Sequence, residues 1–114
     1  MKHLKYRNTR IVNELMNYCY KNGADKIRIE VNTQKEATEF FIKAFDVKLD
    51  NKSLALMKKL LNATRSHELE EHYWILAGDT DTHPELTLIG IMTDEVEIKY
   101  SDENILDIYL KRMN

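Results

Sequence analysis

The stretch ELMNYCYKNGADKIRIEV, residues 14–31, carries a helix to a glycine and turns directly into a strand. Upstream, Asn8 or Thr9 is placed to cap that helix. Ile11, Val12, Leu15, Met16 and Cys19 then recur at the helical period and make one apolar stripe. Gly23 suits the left-handed residue that follows a helix. From Lys26 to Val31 the chain alternates cation or acid with Ile, Ile and Val, the pattern of a half-buried strand.

The rest of the chain extends this beginning. Residues 32–35 read as a polar turn and residues 37–45 as a second strand, rich in aromatic residues. Asp50, Asn51 or Ser53 caps a second helix, with Leu54, Met57 and Leu61 on one face. A third helix is expected over residues 68–77, ending at Gly78. Pro84 suits the first turn of a fourth, through Leu86, Ile89 and Ile91. Val96, Ile98 and Tyr100 alternate with charges. Ser101 to Asn104 turns the chain, and Leu106, Ile108 and Leu110 then point one way. The expected fold is one α/β (α+β) domain over residues 1–114. It is a two-layer sandwich, with helices on one face of a mixed, mostly antiparallel sheet of about four strands.

Bulk composition narrows the function. At 114 residues the chain is long enough to bury a core without disulfides or a structural metal. Its net charge of −2 and pI near 6.1 come from interleaved acids and bases, with none of the basic stripe of a nucleic-acid binder. Cys19, the lone cysteine, reads as a buried structural thiol and suits a reducing cytoplasm. The polar start MKHLKYRNTR does not read as a signal peptide, and no run is apolar enough to span a bilayer.

Two stretches carry a family likeness: the opening one and LTLIGIMTDEVEIKYSDENILDIYLKR, residues 86–112. In element order and joints the chain resembles the ATP-binding domain of the histidine-kinase-like ATPase superfamily, the Bergerat fold. The smallest soluble members of that superfamily are the anti-sigma-factor serine kinases. The resemblance implies three contact points. A helix asparagine holds Mg²⁺, with a glutamate one turn earlier. An Asp-x-Gly motif after the second strand reads adenine. A Gly-x-Gly motif before the last helix admits the phosphates.

Matched at Asn22-Gly23, the glutamate falls at Glu14 and the asparagine at Tyr18, with Asn17 one residue, about 100°, away. Asp46 stands near the adenine position, but no glycine follows it. The phosphate-loop glycines are replaced by His83 and Glu85, and Gly90 comes too late. A phenol is a poor Mg²⁺ ligand, and a carboxylate repels a triphosphate. The expectation is therefore a degenerate member without a cofactor, a regulatory or protein-interaction module. The alternative is an ATP- or ADP-binding anti-sigma-like serine kinase with an altered pocket, using Glu14, Tyr18 and Asp46, and Glu14 as its catalytic residue.

Geometry bears on the remaining motifs. In HELEEH, His67 and His72 are five residues apart, about 140° around a helix, so they do not share a metal as the His-Glu-x-x-His pair does. Asp79 to His83 alternates acids but lacks the glycine and distant glutamate of a Ca²⁺ loop. With His67 or His72 it leaves only a residual enzyme reading, with no reaction type. Ser53, Ser66 and Ser101 have no nucleophile context. Phe40 and Phe41, and Phe45 with Ile42, cannot all face one helix layer, so aromatic surface should emerge on the far side of the sheet or be covered by another chain. Phe41 and Phe45, with Trp74 about 100° around the third helix from the stripe residue Tyr73, are the expected contacts for a protein partner or for self-association.

Overall fold

Strict alternation builds the sheet, and the structure, a computed structural model, describes residues 4–61 and 84–114. In order these form α1 (Leu4–Lys21), β1 (Lys26–Thr33), β2 (Ala37–Phe45), α2 (Asn51–Leu61), α3 (Pro84–Met92), β3 (Glu95–Tyr100) and β4 (Leu106–Met113). The four described strands lie in the order β1-β2-β4-β3, and every pairing among them is antiparallel. The expected two-layer sandwich is present, and the sheet, expected to be mixed and mostly antiparallel, is wholly antiparallel among the described residues. The expected helix over residues 68–77, HELEEH, Asp79 to His83 and Trp74 lie outside the described residues.

Period two divides the strands cleanly. Phe40, Ile42, Ala44, Leu106, Ile108 and Leu110 are buried on the helix side, joined by the half-buried Ile27, Ile29, Val96, Ile98 and Tyr100. Ile29, Ile42, Ile108 and Ile98 lie in one row across all four strands. Each such side chain contributes roughly 1.5–3 kcal/mol when fully buried. On the helical layer, Ile11, Leu15, Tyr18 and Cys19 of α1 and Met57 and Leu61 of α2 are buried. Between those helices lies α3, whose Leu86, Leu88, Ile89, Ile91 and Met92 are all buried. A helix that is apolar all round belongs in such an interior.

Two local expectations are corrected. The first helix starts at Leu4, so Asn8 and Thr9 lie inside it and do not cap it. The Asn8 amide instead donates to Thr38 Oγ1 at 3.2 Å, tying α1 to the sheet, while Thr9 Oγ1 donates back to the Lys5 carbonyl. The buried stripe is also rotated toward Tyr18, leaving Val12 and Met16 half-buried at its margin. By contrast, Asp50 caps α2 as its sequence indicates, its Oδ1 accepting from the Ser53 N–H at 2.7 Å.

The joint at Asn22-Gly23 is closed by the chain itself. Gly23 has φ +98°, the left-handed conformation expected after the helix. Asn22 donates its side-chain amide to the Tyr18 carbonyl, and its own carbonyl accepts from the Lys48 N–H at 2.8 Å. That loop is anchored in turn by Tyr100, whose hydroxyl donates to the Val47 carbonyl at 2.6 Å and accepts from the Leu49 N–H.

Candidate functional site

Of the residues matched to a nucleotide site, two are buried on α1 and the third stands in an exposed turn. Glu14 is only 9% exposed, and its Oε1 accepts from Arg10 Nε at 2.9 Å. Tyr18, at 3% exposure, is part of the apolar core. Asp46 is exposed in the turn after β2, in the left-handed conformation with φ 60°. Its carbonyl approaches Gly23, at the far end of α1, to within 3.3 Å of where a Cβ would stand. Glu14 lies nine residues before Gly23, about 13 Å along the helix. Asn17 is exposed, on the side away from the core.

The open face of the sheet presents a broad concavity of about 780 Å³. Its side chains follow from the register as three rows across β1, β2, β4 and β3. One row reads Arg28, Lys43, Asp107, Lys99; the middle row Glu30, Phe41, Tyr109, Glu97; the third Asn32, Glu39, Lys111, Glu95. Phe41 is 41% exposed, and its ring lies 5.1 Å from that of Tyr109, tilted by 50°. Phe45, half-buried beyond the first row, has Lys26 Nζ and the Arg28 guanidinium 5.2 and 5.6 Å from its ring centre.

Polar contacts hold these rows in place. Tyr109 donates to Glu39 Oε2 at 2.6 Å. The bond to that carboxylate, then burial and the charges of Glu39, Glu95 and Glu97, pushes the phenol up to about 12. Lys111 lies 4.0 Å from Glu95, and the Asn32 amide donates to Glu30 at 2.9 Å. The surface is thus an aromatic pair set among charges of both signs. It offers apolar area and ion pairing to another macromolecule.

Of the expected interaction residues, Phe41 and Phe45 both lie on this face. Tyr109, Lys43 and Glu39 were not singled out in the sequence, although the inward run Leu106, Ile108, Leu110 already puts residue 109 outward. The same parity sends Arg112 inward. It is fully buried, donates from Nη1 to the Met92 carbonyl at 2.7 Å, and so secures the end of α3. Burial, with the charge of Arg7, lowers it to about 10 against the opposing pull of Asp94. Cys19 is buried, and burial pushes its thiol up to about 11, the opposite of an activated nucleophile.

Among the described residues no group of His, Cys, Asp and Glu is arranged to hold a metal ion, and no helix is long and apolar enough to cross a membrane. Neither the protein-family models nor the curated proteins give a match to this chain.

Proposed function

We propose that this chain is a non-catalytic regulatory domain that acts by protein contact, on a degenerate histidine-kinase-like ATPase fold. It works in the cytoplasm, binds neither nucleic acid nor membrane, and requires no cofactor. The carrying observation is the placement of Tyr18. Where the family likeness calls for the Mg²⁺-binding asparagine, a phenol is packed into the core at 3% exposure. Glu14, one turn earlier, is engaged by Arg10. The exposed Phe41, paired with the half-buried Tyr109 on the opposite side of the sheet, supports a contact function there.

Calorimetric titration with ADP and ATP, with and without Mg²⁺, tests this reading. No binding heat is expected at millimolar nucleotide. Binding tighter than about 100 μM, roughly 5.5 kcal/mol, would overturn it in favour of the altered-pocket kinase, with Glu14→Ala as the next variant.

A further inference from the structure

The open sheet face is complementary to itself. A two-fold axis laid across the strands along the Phe41–Tyr109 row turns the first row onto the third. Lys43 then faces Glu39 of a second copy, Asp107 faces Lys111, Lys99 faces Glu95, and Arg28 faces the Asn32 amide oxygen. The Phe41 and Tyr109 rings meet their own counterparts at the centre. Two Glu30 side chains, and two Glu97 side chains, also meet across the axis, but they stand on the edge strands. Each of these like-charge contacts occurs once, two in all, against six that oppose unlike charges.

The other simple arrangement, an axis parallel to the strands, also opposes unlike charges on β2 and β4, Lys43 to Asp107 and Glu39 to Lys111. On the edge strands, however, it sets Arg28 against Lys99 and Glu30 against Glu97, each of them twice. It loses the Lys99–Glu95 pairs as well. Like charges directly opposed cost affinity, so the charges favour the first arrangement. We propose that this chain forms a face-to-face dimer through the open face of its sheet, with reciprocal Lys43–Glu39 and Asp107–Lys111 pairs flanking a Phe41–Tyr109 centre. This deepens the protein-contact reading above and rests on it by making a second copy the partner.

Four strands spaced about 4.8 Å apart and six to nine residues long cover on the order of 500 Å² per protomer. That total of about 1,000 Å² sits at the low end of specific interfaces. Interfaces of this size belong to weak, transient encounters, and salt loosens this one.

Sedimentation equilibrium over about 5–500 μM at low salt tests the proposal. The wild-type chain should shift from monomer to dimer across this range. K43E and E39K, each at a side chain on the open face, should each associate at least tenfold more weakly. An equimolar mixture of the two should regain near wild-type association, because in the mixed dimer both reciprocal contacts between positions 43 and 39 again oppose an acid to a base. Destabilised variants would not rescue one another in this way, nor would variants paired about the other axis. A wild-type chain that stays monomeric throughout, or a mixture no better than its components, overturns the proposal. Nucleotide titration of the same samples separates the two claims: a monomer without nucleotide binding sinks only the dimer, and a dimer that binds ATP sinks only the non-catalytic reading.

Discussion

At the scale of single residues, Tyr109 links the electrostatics of the open face to stability. Its phenol titrates near 12 in the folded chain because Glu39 accepts its proton-bearing hydroxyl. An unfolded tyrosine titrates near 10. The folded value is the higher one, so the folded state holds this proton more tightly. The bond's contribution is therefore whole below about pH 10 and is lost as pH rises through about 12. Ultraviolet titration should show a late-ionising tyrosine, and Glu39→Ala should return it toward the ordinary value. A wild-type chain whose tyrosines all ionise together would count against the bond.

At the scale of elements, Gly90 decides how closely α2 and α3 approach. A Cβ there would fall on the Leu60 carbonyl oxygen, well inside van der Waals contact. The obstacle is backbone, so α2 itself would have to shift. Alanine is the better helix former by about 1 kcal/mol, but overpacking of this kind costs typically 1–3 kcal/mol or more. Gly90→Ala should thus be destabilised by about 2 kcal/mol in urea denaturation. An unchanged or raised midpoint would mean that the helices are not in contact at this point. In sequence, Gly90 reads only as a glycine too late for a phosphate loop. Its use in packing depends on a helix thirty residues away.

At the scale of the whole molecule, one apolar cluster joins all three described helices to the strands. Cys19 sits within it, fully buried. No described element has a core of its own, so the domain should unfold as one unit. Thiol labelling of Cys19 should be negligible in the native state and should rise with the same urea midpoint as the loss of far-ultraviolet circular dichroism. Labelling that precedes that loss would reveal a separately opening α1.

Local chemistry made much of this fold legible. The strands at 95–100 and 106–113 follow from alternation, the Asp50 cap from its short carboxylate, and the end of α1 from a glycine free to take positive φ. Alternation also required aromatic surface beyond the helix layer, where Phe41 now stands. Asn8 misled because its capping chemistry is local, while its actual partner, Thr38, is thirty residues away. Tyr18 misled by one edge of a helix, since periodicity gives a stripe and only packing selects its centre. Sequence by itself thus determined the described elements and their alternating faces, because these depend on side chains close in the chain. Only the tertiary structure decided the strand order β1-β2-β4-β3, and with it which charges share a row on the open face. Those rows join residues up to eighty positions apart, and pairing over such distances is set by the burial of the whole core.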